Sequence, residues 1–206
     1  MTNMTDRINQ TLRKLPTWPI YVAGAAWAAW LFWLGLTGGL GVEPINALER
    51  AYGEVALILL VAGLAVTPLR KWFGINLIRF RRAIGLTAFF FVVAHLLVFA
   101  LLDVQTWARV WEEVLKRPYV TVGMAAFLLL VPLALTSNNL SIRKLGPRWR
   151  SLHKLTYVAT VLGGVHYLWL VKGFPYEPLI YLAVIGLLLL ARVRWQRRRQ
   201  ARTSAA

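Results

Sequence analysis

The stretch AIGLTAFFFVVAHLLVFALL, Ala83–Leu102, carries no charged residue and one histidine, His95. Twenty residues wound at 1.5 Å each reach about 30 Å, the thickness of a bilayer's hydrocarbon core. The segment shows neither the one-sided stripe of a half-buried helix nor the alternation of a strand, as expected of a helix with lipid around it. Outward from it lie further apolar blocks at Trp18–Leu40, Ala51–Pro68, Tyr119–Thr136, Ser151–Val171 and Pro178–Val193. The last is short for a span and needs its flanking arginines to snorkel toward the headgroups. The first lacks the short core and small-residue cleavage site of a signal peptide, so it reads as a retained helix. The prediction is an all-α integral membrane bundle of six transmembrane helices. It forms a single domain over residues 1–206, with short basic tails at 1–17 and 192–206.

Composition agrees. Hydrophobic residues make up 58% of the 206 and charged ones only 16%, with a mean hydropathy of +0.56. The formal charge of +16 would suggest nucleic acid, but the cations are sorted by connection. Eighteen of the 24 Lys and Arg lie in the N-terminal stretch, in 69–82, in 137–150 and in the tail from Arg192. The opposite connections hold five: Arg50, Arg109, Lys116, Arg117 and Lys172. That asymmetry is the positive-inside signature. It places both termini in the cytoplasm, assigns the basic tail to anionic membrane lipid and gives no ground for a nucleic-acid partner.

Two further features bound the chemistry. There is no cysteine, which excludes disulfides, thiolate metal sites and covalently attached haem. Between the third and fourth spans, Val104, Trp107, Trp111, Val114 and Leu115 recur at helical spacing. They predict a short amphipathic helix on the outer membrane surface, as an interfacial anchor or a docking surface.

The three histidines, His95, His153 and His166, all fall in predicted spans. Ionisable groups in a bilayer are costly and usually face the bundle interior with a function. His95 lies ~18 Å along the third span and His166 ~22 Å along the fifth, both measured from the cytoplasmic end. At that shared level, two neutral imidazoles can supply both axial positions of a haem iron. His153 lies ~20 Å below His166. Three readings stay open for it: ligand of a second haem, contact for a quinone or flavin, or an ordinary interfacial histidine. Thirteen residues of continuous helix also turn by ~220° beyond whole turns, so His153 and His166 should not share a face. Gly163 and Gly164 offer a place for a local distortion or the close approach of a ring.

A more specific pattern is carried by Thr67-Pro68-Leu69-Arg70, by Arg81-Arg82-Ala83-Ile84-Gly85-Leu86 followed by His95, and by Lys116-Arg117-Pro118-Tyr119. Leu135-Thr136-Ser137, then Leu145-Gly146, Trp149 and Leu152-His153-Lys154-Leu155, then His166 and Trp169 to Lys172 continue it. In this order and spacing, from Trp18 to Tyr181, the chain resembles the MsrQ family, haem-binding membrane subunits of a bacterial methionine sulfoxide reductase system. That family is similar to the membrane part of ferric reductases and NADPH oxidases. The resemblance implies an inner-membrane, non-catalytic electron-transfer subunit with one b-type haem on His95 and His166. His153 would be the inner ligand of a second haem, but Arg81 and Arg82 stand where its helix-three partner would be. Electrons would come from the quinone pool or a cytoplasmic flavin reductase and go to MsrP, a periplasmic molybdopterin-containing reductase acting on methionine sulfoxide. FMN is a further cofactor the resemblance implies, and Arg81, Arg82 and Arg148 are candidates to hold its phosphate. No G-x-G-x-x-G unit stands between a strand and a helix, so the chain has no nicotinamide site of its own.

Two rivals remain at this stage. One is a ferric-reductase-like donor of electrons to metal or oxygen. The other is a small proton-coupled transporter built on Glu54, Asp103 and the histidines. Against the transporter, both acids fall near span ends, and no pair of broken helices recurs in corresponding halves.

Overall fold

The computed structural model describes residues 4–171, 173–174 and 176–203, with side chains through Arg192. Every regular element among them is helical: α1 (Met4–Lys14), α2 (Trp18–Leu36), α3 (Pro44–Trp72), α4 (Arg81–Leu97), α5 (Trp107–Lys116), α6 (Pro118–Leu135), α7 (Asn139–Leu145), α8 (Pro147–Leu152), α9 (Leu155–Leu170) and α10 (Tyr176–Thr203). A 3₁₀ turn at Ile78–Phe80 leads into α4, and a π-helical turn at Val98–Asp103 extends it. Four stretches are long and apolar enough to cross a membrane: Trp18–Leu36, Pro44–Trp72, Ile78–Asp103 and Pro118–Leu135. Lys172, counted above among the outer cations, and the side chains of the basic tail beyond Arg192 lie outside the described residues.

Proline opens α3, α6 and α8, where its missing N–H costs nothing. Glycine ends the first span earlier than its hydropathy suggests. Helix α2 stops at Leu36 instead of Leu40, because Gly38 (φ +80°) and Gly41 (φ +88°) take left-handed turns. Helix α3 starts at Pro44, seven residues before the predicted Ala51, so Glu49 and Arg50 are helical and not loop residues. The largest departure is in the fifth block. Helix α8 ends at Leu152, His153 and Lys154 form a turn, and α9 begins at Leu155. His153 is therefore not on the helix that carries His166, and the phase expected of one continuous helix does not apply.

The bundle is built on two tight pairs, α3 with α4 and α6 with α9. Leu60 of α3, Ala88 of α4, Leu130 and Leu133 of α6 and Ala159 of α9 form one buried cluster joining the pairs. Helix α2 packs on the outside of α3 and α4, its Ala28 carbonyl accepting a 2.8 Å hydrogen bond from the buried Tyr52 hydroxyl. Helix α10 closes the other flank through Ile185, packed against Leu57 and Leu64.

At one end of the bundle the basic connections are tied together. The Asn9 amide of α1 donates to the Gly74 carbonyl at 2.9 Å, and its oxygen accepts from the Asn76 N–H at 2.9 Å. Arg82 reaches the Asn139 side chain at 2.8 Å. The N-terminal stretch read only as a tail is thus partly a helix, pinned to the α3–α4 connection. At the opposite end lies the expected amphipathic helix, α5. Its Val110 and Val114 are buried against the bundle, while Trp107, Trp111 and Leu115 stay exposed.

Candidate haem site

His95 sits in the last turn of α4 and His166 near the end of α9. Each ring is fixed the same way. His95 Nδ1 lies 2.8 Å from the Glu49 carbonyl of α3, and His166 Nδ1 lies 2.7 Å from the Tyr119 carbonyl of α6. A carbonyl only accepts, so both Nδ1 atoms carry the proton and both Nε2 atoms keep a lone pair. Among the described residues no hydrogen-bond partner takes either Nε2.

Glycine makes this approach possible. Residue i+4 of a helix stands over the carbonyl of residue i, and four residues beyond Glu49 and Tyr119 are Gly53 and Gly123. A Cβ on Gly53 would lie 3.1 Å from His95 Nδ1, and one on Gly123 would lie 2.8 Å from His166 Nδ1. Each imidazole therefore occupies the space a side chain would fill. Nothing in hydropathy marks these two glycines. The available signal was their i+4 spacing from a helix residue whose carbonyl can be shared.

The two ring centroids lie 6.1 Å apart, with the planes at 79° to each other. Two metal–nitrogen bonds of about 2 Å, plus about 1 Å from each nitrogen to its ring centre, give roughly 6 Å. The spacing would let both rings hold one metal ion through the unengaged Nε2 atoms. Among the described residues no group of three or more His, Cys, Asp or Glu gathers anywhere. Two imidazoles suit a metal whose other donors come with it, as in a porphyrin.

The family of ferric reductase like transmembrane components matches residues 51–164. A protein-methionine-sulfoxide reductase heme-binding subunit MsrQ from Brucella ovis is 48% identical over 177 residues, covering 85% of this chain and 80% of that protein. Proteins of the same description from Brucella abortus and Brucella suis match to the same extent. The chain belongs to the MsrQ family. It is a multi-pass membrane protein with a ferric-reductase-like bundle. No solved structure matches it.

The other predicted site residues of this MsrQ-family chain lie apart from the pair. His153, half-buried in the turn before α9, stacks on Trp149 with centroids 3.9 Å apart and planes 27° apart. Its Nε2 is 3.1 Å from the Thr136 hydroxyl, which donates its own proton to the Pro132 carbonyl at 2.6 Å. The hydroxyl must then accept, so Nε2 of His153 bears the proton and Nδ1 is the free base. This is the opposite tautomer to the other two histidines. Burial, and then the positive charge of Arg81, hold His153 below the ordinary histidine range. Arg82 is exposed and bound to Asn139, and Arg148 is exposed on α8. Gly164 does not admit a ring. Its bare face receives Leu182 and Ile185 of α10, at 2.7 and 3.2 Å from where a Cβ would stand.

Proposed function

We propose that this chain carries electrons across the bacterial inner membrane, holding one b-type haem between His95 and His166. Haem, when bound, supplies a one-electron centre. The protein's part is to place, orient and insulate it. The Glu49 and Tyr119 carbonyls fix both tautomers and ring directions before the ligand arrives. The observation that carries the reading is the 6.1 Å spacing of two imidazoles with Nε2 unengaged.

The chain crosses the membrane six times in this reading, α9 and α10 completing the set, with both termini and the Arg-rich connections in the cytoplasm. Reducing equivalents come from the quinone pool or a flavin reductase at the end that holds His153, Arg81, Arg82 and Arg148. FMN, if used, binds there through its phosphate. His153, with Nδ1 free and its ring stacked on Trp149, belongs to that entry and not to the iron. On the outer face α5 lies along the headgroups. The recipient is the periplasmic molybdopterin-containing subunit MsrP, in keeping with the relatives' description as subunits of a protein-methionine-sulfoxide reductase.

The test is spectroscopic. Purified wild type should show a reduced b-type spectrum with about one haem per chain by pyridine haemochromogen. His95→Ala and His166→Ala should each abolish it, together with reduction of MsrP. If both variants keep full haem content and an unchanged spectrum, the ligand assignment is wrong.

A further inference from the structure

The run Lys116-Arg117-Pro118-Tyr119 joins α5 to the helix that seats His166. Arg117 is the single residue between α5 and α6. The proline after it disfavours a helical backbone, and Arg117 accordingly lies extended at φ −111° and ψ 105°. One residue thus ends α5 and opens α6. Tyr119 follows in the first turn of α6, where its carbonyl accepts from His166 at 2.7 Å.

Tyr119 meets His166 a second time. Its ring centre lies 6.1 Å from that of the imidazole, with the planes 39° apart. The other end of the same side chain is held. Its hydroxyl accepts from Arg117 Nη1 at 3.1 Å, and Arg117 Nε pairs with the Glu113 carboxylate of α5. Glu49, at the matching place beside His95, carries no ring. Helix α5 in turn rests on the outer ends of α4 and α6. Val110 packs with Phe99, and Leu96 and Val120, the neighbours of His95 and Tyr119, close against them. The Thr121 hydroxyl of α6 donates to the Val114 carbonyl of α5.

The side chains of the Arg117–Glu113 pair are 50% and 23% exposed. A pair so exposed adds at most about 1 kcal/mol to stability, so its main effect is on where the Tyr119 ring stands. We propose that Arg117 is a positioning residue for His166, acting through Tyr119 to set the angle at which that imidazole stands on its carbonyl. The 79° between the two histidine planes is then imposed on the His166 side by the seating of α5. The consequence for an iron ligand rests on the haem reading; the placement of the ring does not.

The experiment is NMR of the full chain in detergent with isotopically labelled histidine, the three imidazoles being assigned by single His→Ala variants. Tyr119→Phe removes the hydroxyl and keeps the ring and the carbonyl. Arg117→Gln removes the charge, and Arg117→Lys keeps a cationic donor. In haem-free protein, Tyr119→Phe and Arg117→Gln should shift the His166 ring signals most and leave those of His153 in place. Arg117→Lys should stay closer to wild type than Arg117→Gln. A general loss of packing would lower the melting temperature without singling out one histidine. In haem-loaded protein the same variants should change the low-spin ferric EPR signal, which reports the angle between axial imidazole planes. They should also weaken haem binding roughly three- to tenfold, less than the loss of a direct partner of a metal-bound histidine. Unmoved His166 signals in folded Tyr119→Phe and Arg117→Gln proteins, or equal displacement of all three histidines, would overturn the proposal. Shifted His166 signals in a protein whose haem survives His95→Ala and His166→Ala would instead refute the haem reading and leave the placement of the ring standing.

Discussion

Replacing Gly123 by alanine adds one methyl group at the point where the structure allows least. The new Cβ would stand 2.8 Å from His166 Nδ1 and 2.9 Å from its Cε1, whereas ordinary contact begins at 3.4 Å. The ring must retreat by about 0.6 Å, and its 2.7 Å bond to the Tyr119 carbonyl lies on the side it retreats from. Loss of an outer-shell partner of a metal-bound histidine weakens metal affinity roughly 10–100-fold. At Gly53 the corresponding distances are 3.1 and 3.3 Å from His95, so the same substitution asks for about half the movement and a correspondingly smaller loss. Neither change should unfold the protein, because the helix preference for alanine over glycine, about 1 kcal/mol, offsets a weakened histidine–carbonyl bond of about the same size. Haem titration into apo-protein, with thermal unfolding as the control, gives the order wild type, then Gly53→Ala, then Gly123→Ala. Wild-type affinity in Gly123→Ala, or equal losses in the two variants, would refute the idea that these glycines set the ring positions.

Three further consequences can be measured on other variants. His153→Gln should retain the b-type spectrum and haem content, since that ring lies in the turn before α9 and has its Nε2 engaged by Thr136. The folded state holds the His153 pKa below that of the unfolded chain. Its stabilising contribution is therefore complete above the ordinary value near 6.5 and declines as pH falls below it. His153→Gln should then show a shallower loss of melting temperature between about pH 6.5 and 5 than wild type, and an unchanged slope would contradict the assignment. Gly24→Ala should lower stability by about 1–3 kcal/mol, the usual cost of overpacking, because its Cβ would meet Thr87 Cγ2 at 2.5 Å. Thr87→Ser removes that methyl and should restore the loss. Chemical denaturation of the single and double variants decides it.

The spans were legible because hydropathy over some twenty residues is a strong signal, and the helices at Trp18, Ala83 and Tyr119 begin within a few residues of their structural starts. Errors came where a local geometric cause outweighed composition. Glu49 and Arg50 look like a connection, yet Pro44 starts the helix that contains them. Nothing in Leu152-His153-Lys154 announces a break, since neither glycine nor proline is present. The turn coincides with a contact that only tertiary structure supplies, Trp149 and His153 stacked together and both bonded to Thr136. The shared level of His95 and His166 was readable from depth alone. The glycine seats were not, because they depend on which carbonyl each ring meets.

The level match of the two histidines has a cause that depth arithmetic only approximated. Ala88 and Ala159, buried in the cluster that joins the two helix pairs, each lie seven residues before a site histidine. Leu60 and Leu130 of the same cluster each lie seven residues beyond a site glycine. Seven residues are almost two turns, about 10 Å. The packed layer of Leu60, Ala88, Leu130 and Ala159 therefore sets the height and phase of Gly53, His95, Gly123 and His166 together. One helix pair supplies one complete half, a carbonyl, a glycine seat and an imidazole, and the second pair repeats it with the histidine 43 residues after the glycine in place of 42. Neither half can hold an axial ligand pair alone. On the proposed ligation, binding of a haem would be linked to the packing of α3 and α4 against α6 and α9, because a ligand bound only by the assembled bundle must stabilise that assembly.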